Sequence, residues 1–495
     1  MLTEELRELA GRIQRQQAEA QVVEVKAAHR GCPKRLYDTL SGFANQDMGG
    51  TIVFGLDEEM GFSCVGVYDL QDLQKKVTEQ CVQMEPPVRA VFTFAEFQGK
   101  MIASAEIPAL DVTERPCYYM GQGKVRGSYI RVGDADLPMT DYEIYSYEAF
   151  RRHTRDDERC VERGGLEILD VERTQQYIQV RKRERPQFAL LQQEQMVEML
   201  NIARNKVPTL AALMNFGIYP QAVYPQLGIT AIAVSGFEIG DVDEEDVRFL
   251  DNKRIEGTLA EMVEEAVAFC KRNMKVKTII SPDTGKRADK TEYPVNAIRE
   301  AVLNALIHRD YSLHTEGTPV QLNLYRDRME IHSPGNLYGR MTIEQLGVAR
   351  PDLRNPTLAV MAESLTEAEN RYSGIPTIRR EMQAYGLPAP LFENRRNEFV
   401  VTLFNGNHTR EILYTNAEDG KGTMTVREGN PEQCILDFCR EPRSRGEIAE
   451  MLGIKTNFYV MEKYVAPLVA QNRLALTIPE KPKSKFQKYY TKYGD

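Results

Sequence analysis

One stretch of twenty residues, 293–312, restricts what this chain can fold into more than any other. It reads YPVNAIREAVLNALIHRDYS, and polar residues recur in it at every fourth position: Asn296, Glu300, Asn304 and His308. Residues four apart lie on one face of an α-helix, so the pattern predicts a helix from Pro294 with one polar stripe on an apolar surface. An amide or a carboxylate is costly to bury without a partner. The stripe therefore faces water, as in an ordinary amphipathic helix, or lines a site.

The residues that follow favour a site. The chain continues as HRDY, the segment PVQLNLYRDRMEIHSPG predicts a hairpin that ends in a Ser-Pro-Gly turn, and RNP occurs at residues 354–356. In this order, the motifs of residues 293–404 resemble the C-terminal domain of the RecG-related proteins, a divergent branch of the GHKL ATPase superfamily. The resemblance implies a GHKL-like α/β sandwich with a nucleotide site.

The same resemblance implies roles for particular residues. Glu300 would polarise an attacking water, and Asn304 would hold Mg²⁺ against the phosphates of ATP or ADP. This assignment is chemically reasonable because Mg²⁺ prefers oxygen ligands and keeps several of its waters. Further residues are expected at the cofactor site: His308, Asp310, Gly335 and Gly374.

Two departures from the superfamily weaken the expected ATPase activity. The aspartate turn that contacts adenine is replaced by Ser333-Pro334-Gly335, which removes the acceptor for the adenine amino group. The second glycine-rich turn reads Tyr372-Ser373-Gly374-Ile375, with one glycine lost. We therefore expect nucleotide binding without efficient hydrolysis. The sequence has no GxxxxGK[ST] pattern, which excludes a P-loop helicase motor.

Three spaced motifs characterise the N-terminal part of the chain. VVEVK alternates like a strand, GFANQDMGGTIVFGLDE joins a helix to an apolar strand through a glycine pair, and SYIRVG predicts a further strand. Together they resemble the Schlafen AlbA domain over residues 19–147. That resemblance implies a nucleic-acid-associated α+β fold, with Lys26 and Arg131 as candidate nucleic-acid contacts. The glycine pair, Gly49 and Gly50, is expected to allow a close backbone approach.

Some Schlafen relatives are metal-dependent ribonucleases that use two glutamates and one aspartate. Glu19, Glu24 and Asp57 lie at matching positions, and three carboxylates around divalent ions are a reasonable way to cleave a phosphodiester. The alternative is structural. Glu24 and Lys26 are two apart on a strand and share a face, so they can form an ion pair without any catalytic role.

The C-terminal part has the pattern of a helix, a turn, a second helix and a short wing strand, ALTIPEK. It resembles a winged helix, as in many bacterial transcription factors. The residues expected to contact nucleic acid lie on the second helix and in the lysine-rich tail: Lys455, Asn457, Tyr459, Lys463, Lys483 and Lys485. A winged helix used for protein contacts remains the alternative.

A length of 495 residues predicts several domains. We assign an α/β multidomain fold class with these boundaries: 1–147, AlbA-like with an N-terminal helix; 148–290, linker and middle scaffold; 291–415, divergent GHKL-like; 416–430, linker; 431–495, winged helix.

Composition limits the function classes. Hydrophobic residues make up 42% and charged residues 27%, which is typical of globular proteins, and no apolar run approaches ~18 residues. With no signal peptide at the N-terminus, a cytoplasmic location without a membrane partner is expected. The 8 cysteines form no CxxC pair, so no zinc site is expected. The net charge of −9 restricts nucleic-acid contacts to local basic patches.

Two functions of different classes follow from these patterns. The first is a DNA-binding transcriptional regulator, with RNA as an alternative partner, that responds to a nucleotide in a degenerate GHKL site. The second is a Schlafen-like metal-dependent nuclease, acting on RNA or DNA in stress or phage defence. An active ATPase that remodels nucleic acid ranks third because the glycine turns are eroded. A homo-oligomer is expected, since GHKL domains often dimerise and winged-helix proteins bind paired half-sites.

Overall fold

The computed structural model describes residues 1–241, 248–280, 287–363 and 374–406. In the C-terminal part it describes residues 435–436, 438–439, 443–444, 465, 468–469, 473–477 and 488–491. The chain divides into two compact units, Met1–Asn405 and Gly406–Asp495. Among the residues described, no helix is long and apolar enough to cross a membrane.

The N-terminal part of the first unit is an α/β fold on a four-stranded sheet. Its helices are α1 (Thr3–Gln16), α2 (Tyr37–Asn45), α3 (Leu70–Val82), α4 (Gly123–Gly127) and α5 (Asp141–Arg151). Its strands are β1 (Val23–Lys26), β2 (Gly50–Phe54), β3 (Leu56–Asp57), β4 (Ser63–Cys64), β5 (Met84–Glu85), β6 (Val91–Phe97), β7 (Lys100–Ile107), β8 (Tyr118–Tyr119), β9 (Tyr129–Val132) and β10 (Ala135–Pro138). The sheet order is β1-β2-β7-β6.

Helices cover both faces of this sheet. β1 and β2 pair in parallel, so the chain must cross over between them, and α2 provides the crossover. Neighbouring residues of β2 point to opposite faces: Val53 belongs to the core that α1 completes, whereas Ile52 and Phe54 belong to the core shared with α2 and α3. β6 and β7 form a hairpin around Gln98-Gly99, both at positive φ.

The glycine pair at the start of β2, Gly49 and Gly50, makes the close approach that the sequence predicts. Gly49 has a φ of 65°, and a Cβ atom there would lie 2.4 Å from the carbonyl oxygen of Ile107. A Cβ on Gly50 would lie 2.3 Å from the ring of Phe43. Neither position accepts a side chain without displacing the sheet or the helix packed on it.

The rest of the first unit is built on a six-stranded sheet. Its helices are α6 (Val171–Glu184), α7 (Gln193–Met199), α8 (Leu210–Phe216), α9 (Leu259–Asn273), α10 (Val295–Ile307), α11 (Pro356–Glu363) and α12 (Gly374–Ala384). This part has ten strands, six of which form that sheet: β11 (Ala203–Arg204), β12 (Val207–Pro208), β13 (Ile229–Val234), β14 (Phe249–Ile255), β15 (Val276–Ile280), β16 (Arg287–Thr291), β17 (Val320–Leu324), β18 (Arg328–Pro334), β19 (Leu391–Arg395) and β20 (Glu398–Phe404) in the described residues.

The order of this sheet is β14-β13-β17-β18-β20-β19. β13 pairs in parallel with β17, and the other neighbours pair antiparallel. β13 and β14 come from the segment predicted to be a separate scaffold, so the sheet extends across the predicted boundary at residue 290. Helices α9, α10 and α12 add apolar residues to the core that the sheet shares.

In the second unit, three short strands form one antiparallel sheet of order β21-β23-β22: β21 (Arg443–Ser444), β22 (Leu474–Leu476) and β23 (Lys488–Thr491). A small core includes Leu468, Leu474 and Tyr489. The predicted nucleic-acid contacts of this part lie outside the described residues: Lys455, Asn457, Tyr459, Lys463, Lys483 and Lys485.

Candidate functional site

The helix predicted from residues 293–312 is α10, and Pro294 directly precedes its first residue. Its apolar residues are buried, and its polar stripe passes from exposed Asn296 through half-buried Glu300 and Asn304 to His308. The last three of these residues line one pocket. The stripe therefore lines a site rather than only facing water.

The pocket lies between α10, the end of β18 and the start of α12. Its polar lining consists of Glu300, Asn304, His308, Ser333, Asn336, Tyr338, Asp352, Arg354 and Glu363. Gly335 and Gly374 line it as well. Its apolar wall includes Ile331, Leu337, Met341, Leu346, Ile378 and Val401. Five of the predicted site residues, Glu300, Asn304, His308, Gly335 and Gly374, thus converge on one cavity.

Gly374 lies directly over the polar stripe. A Cβ atom there would be 2.6 Å from Nδ2 of Asn304 and 3.1 Å from Oε2 of Glu300. The amide nitrogen Nδ2 of Asn304 is buried and has no hydrogen-bond partner. Burial also raises the pKa of Glu300. An unpaired amide beside a carboxylate, under a glycine that leaves room, fits a phosphate group and its Mg²⁺ ion.

His308 stands on the pocket wall with its ring open to the cavity. Desolvation of the ring by the surrounding protein disfavours the charged imidazolium, and the positive charge of nearby Arg354 disfavours it further. The pKa of His308 therefore falls to about 4. The ring is therefore neutral at pH 7 and can both donate and accept a hydrogen bond.

Asp310 was predicted to contact the cofactor, but the structure places it beneath the pocket. Its side chain is 4% exposed and lies 2.8 Å from Nη1 of Arg354. It also accepts hydrogen bonds from the hydroxyl of Tyr142 at 2.7 Å and from the backbone of Ser312 at 2.8 Å. Gly335, at a φ of 109°, passes so close that a Cβ would be 2.7 Å from Cβ of Asp310. Asp310 thus supports the turn that carries Gly335.

Arg131, a predicted nucleic-acid contact, is a buried charge on β9 of the N-terminal domain. Its side chain is 1% exposed and lies 2.7 Å from Glu24, 3.2 Å from Asp136 and 3.5 Å from Glu19. A buried guanidinium held by carboxylates cannot also reach a phosphate in solution. Lys26 forms an ion pair with Glu24, which is the structural alternative considered for this pair.

Two carboxylates of the predicted nuclease site, those of Glu19 and Glu24, meet at Arg131. The third, Asp57, lies in β3, where its carboxylate accepts a hydrogen bond from the backbone of Glu59 at 3.1 Å. Within the described ranges, no group of three or more His, Cys, Asp or Glu side chains could hold a metal ion. The guanidinium of Arg131 lies between the two glutamates. It supplies the positive charge that a metal cation would otherwise supply there.

Arg131 lies nearest to Glu24 and Asp136, which leaves Glu19 weakly paired. Burial of Glu19 and the neighbouring carboxylate of Glu24 raise the pKa of Glu19 to about 7. Glu19 therefore holds a proton in the folded protein at a pH where the unfolded chain has lost it.

A pH-dependent stability follows. The contribution of Glu19 is fully present below its unfolded pKa of 4.5 and is lost as the pH rises through its folded pKa of about 7. Glu19→Gln carries no titratable proton, so its stability relative to the native chain should rise by about 1–3 kcal/mol between about pH 5 and pH 8. Urea unfolding of both proteins at the two pH values measures this difference. An equal difference at both pH values would contradict the assignment.

Two segments of the first unit match known families. Residues 19–140 match the family model described as "Schlafen, AlbA_2", and residues 317–403 match the model described as "Putative ATP-dependent DNA helicase recG C-terminal". The chain contains a Schlafen AlbA domain and a RecG-related HATPase-like domain. Glu300 and Asn304 precede the second matched segment, although they line the pocket with Gly335 and Gly374 inside it.

Residues 433–491 match the C-terminal domain of "Filamentation induced by cAMP protein Fic-like", and the winged helix stays a prediction. A crystal structure of a Corynebacterium diphtheriae protein is 18% identical, with a TM-score of 0.39, over 95% of this chain and 93% of that one. The N-terminal domain of a RecG-related protein from Nitrosomonas europaea is 25% identical, with a TM-score of 0.23, over 27% of this chain and 93% of that one. No curated protein matches the chain.

Arg354 and Asn336 are among the lining residues that were not singled out from the sequence. Arg354 appeared only as part of the RNP motif, and Asn336 follows the Ser-Pro-Gly turn without any periodic signal. The structure places both on the pocket lining, where Nη2 of Arg354 donates to the backbone carbonyl of Asn336 at 3.0 Å.

Proposed function

We propose that this protein is a nucleic-acid-associated regulator that binds an adenine nucleotide with Mg²⁺ in the pocket beside α10. One observation carries the proposal: Glu300 and Asn304 converge with Gly374 in a single cavity, and the amide nitrogen of Asn304 is buried there without a partner. A buried polar atom without a partner is costly, and a ligand that satisfies it recovers that cost.

Within this proposal, Asn304 holds the phosphate end of the nucleotide and its Mg²⁺. Bound Mg²⁺ would neutralise phosphate charge and fix the orientation of the phosphates. Glu300 keeps its proton to a higher pH than an exposed glutamate, because burial raises its pKa. His308 offers a neutral hydrogen-bonding group on the same wall. The lost acceptor in the Ser333-Pro334-Gly335 turn and the lost glycine in the second turn favour binding over turnover.

The nucleic-acid part of the proposal rests on the two matched domains: one family description names a DNA helicase, and the other is the Schlafen AlbA domain, whose resemblance implies a nucleic-acid-associated fold. Helix α5 of the N-terminal part offers a physical connection to the pocket. Tyr142 on α5 donates to Asp310, which lies under the pocket, and Glu143 accepts two hydrogen bonds from Arg396 at 2.8 and 2.9 Å. Binding in the pocket can thereby influence the AlbA domain, which we propose contacts DNA in a transcriptional regulator.

The nuclease alternative has less support. A metal-dependent nuclease needs its carboxylates free to hold cations, and Arg131 already pairs with Glu19 and Glu24. We therefore place the regulator first.

The decisive experiment measures thermal unfolding with ATP or ADP and Mg²⁺ for the native chain and for Asn304→Ala. A ligand at about a hundredfold excess over its Kd stabilises the folded state by about 3 kcal/mol. We expect the midpoint of the native chain to rise by several degrees and the rise to disappear in the variant. Exposed Asn252 on β14, away from the pocket lining, gives the matched control Asn252→Ala, which should respond like the native chain.

Binding of labelled duplex DNA and of RNA to the same proteins, with and without nucleotide, tests the regulatory part. A nucleotide-dependent change in affinity that Asn304→Ala abolishes would support it. A midpoint that no nucleotide raises in the native chain would overturn the nucleotide site, and a native chain that binds neither DNA nor RNA would overturn the nucleic-acid role.

A further inference from the structure

We propose that Asn336 makes this pocket select a base with an amino group at position 6, as in a 6-aminopurine, over a 6-oxopurine. The inference rests on the proposed function, because it concerns which nucleotide the same pocket takes. It assigns to a side chain outside the Ser-Pro-Gly turn the acceptor that the turn itself has lost.

The side-chain oxygen Oδ1 of Asn336 is the observation behind this inference. It is buried and has no hydrogen-bond partner, although Asn336 lines the pocket. A buried acceptor left without a donor is rare in folded proteins, and it commonly marks a place where a ligand or a water donates. A ligand in this pocket therefore gains by presenting an N–H group at Asn336.

Hydrogen bonds fix the backbone at Asn336 and on both sides of it. Its own carbonyl accepts from Arg354, the amide of Gly335 donates to the carbonyl of Asn397 at 2.9 Å, and the amide of Leu337 donates to Asn394 at 2.9 Å. Arg354 is itself held by Asp310 at 2.8 Å. This arrangement pre-organises the position of Asn336 before any ligand binds.

Ser333 is already engaged elsewhere. Its buried hydroxyl donates to the carbonyl oxygen of Ala305 at 2.7 Å, which ties it to α10 rather than to the cavity. Asp352 also lines the pocket, and one of its oxygens accepts from the backbone of Arg340 at 3.1 Å. Asn336 is the lining acceptor whose buried oxygen is left unsatisfied.

The rest of the pocket supplies the other groups that a nucleotide needs. The unpaired donor Nδ2 of Asn304 belongs to the polar stripe, and apolar side chains such as Ile331 and Met341 supply the wall. A ligand that satisfies the whole cavity needs an anionic group for Asn304, a flat apolar body and an N–H donor for Asn336. A 6-aminopurine nucleotide has all three, whereas a 6-oxopurine would place an oxygen against an oxygen.

ATP and ITP differ in this respect, because adenine carries an amino group at position 6 where hypoxanthine carries an oxygen. We would measure the Kd of each Mg²⁺ complex by calorimetry for the native chain, Asn336→Leu and Asn336→Asp. We expect the native chain to favour ATP over ITP by about tenfold or more, which is the size of one satisfied hydrogen bond in a desolvated site. Asn336→Leu should reduce the preference to about threefold or less, chiefly by weakening ATP binding.

Asn336→Asp keeps an oxygen toward the base in either orientation of the side chain, so it should retain the preference for ATP. Circular dichroism and the unfolding midpoint without ligand establish that each variant is folded, and the same two substitutions at exposed Asn252 give the matched controls. A native chain that binds ATP and ITP equally, or an Asn336→Leu variant that keeps the native preference, would overturn the inference alone. A native chain that binds neither nucleotide would overturn the proposed function as well, so the two failures are distinguishable.

Discussion

Arg131→Ala is expected to lower the free energy of unfolding by about 3–5 kcal/mol, because it leaves buried carboxylates without their counter-charge. Glu24 and Asp136 lie 2.7 and 3.2 Å from the guanidinium, and the arginine side chain is 1% exposed. The ring of Phe43 also packs against the guanidinium, at 5.1 Å. The substitution therefore removes charge neutralisation and packing together.

Urea unfolding at pH 7 measures this loss, and exposed Arg126 of the same domain provides the matched control. Arg126→Ala should change the free energy of unfolding by about 0.5 kcal/mol or less. A second variant tests the cause: adding Glu24→Gln to Arg131→Ala removes one of the stranded charges and should recover part of the loss. A loss at Arg131 no larger than that at Arg126 would show that the cluster is not a buried charge centre.

Asp310→Asn is the second change with a large expected effect. It keeps the shape of the side chain but leaves Arg354, whose side chain is 6% exposed, without its negative partner at 2.8 Å. We expect the free energy of unfolding to fall by about 3–5 kcal/mol. Tyr142 and Ser312 donate to different oxygens of Asp310, so the single amide oxygen of the variant keeps only one of these hydrogen bonds, and the loss reports the charge pair together with one hydrogen bond.

The measurement for Asp310→Asn is urea unfolding without nucleotide, with exposed Asp134→Asn as the control of equal chemistry. The result also separates two views of Asp310. If the residue contacted a cofactor, as the family resemblance implied, the substitution would weaken nucleotide binding and leave the stability of the free protein nearly unchanged. The buried pair predicts a large loss in the absence of any ligand.

Local patterns were sufficient to predict two of the elements that carry the pocket, α10 and β18, but not α12. The four-residue spacing of polar side chains predicted α10, and the alternating apolar residues around Asp327 predicted the hairpin of β17 and β18. Glu300, Asn304 and His308 could be expected to act together because a helix places them on one face. Gly335 and Gly374 were found only through the family resemblance, since a glycine has no periodicity of its own.

The predictions that did not hold at residue level depend on contacts between distant parts of the chain. Nothing near Arg131 shows that its partners are Glu19 and Glu24, more than a hundred residues earlier. Asp310 likewise pairs with Arg354, and a charged residue in a sequence carries no mark of its burial. Strand pairing between β13 and β17 is also long-range, so the middle segment gave no local sign that it completes the sheet.

That pairing determines where the chain can be cut. A fragment that starts at residue 291 would keep β17 to β20 and lose β13 and β14, so β17 would become an unprotected edge. Val320, Leu322 and Leu324, now buried, would lie on or beside that open edge, which is a template for pairing with another copy. Expression of the HATPase-like segment alone should therefore yield aggregates, and a boundary placed before β13 is the one that respects the sheet.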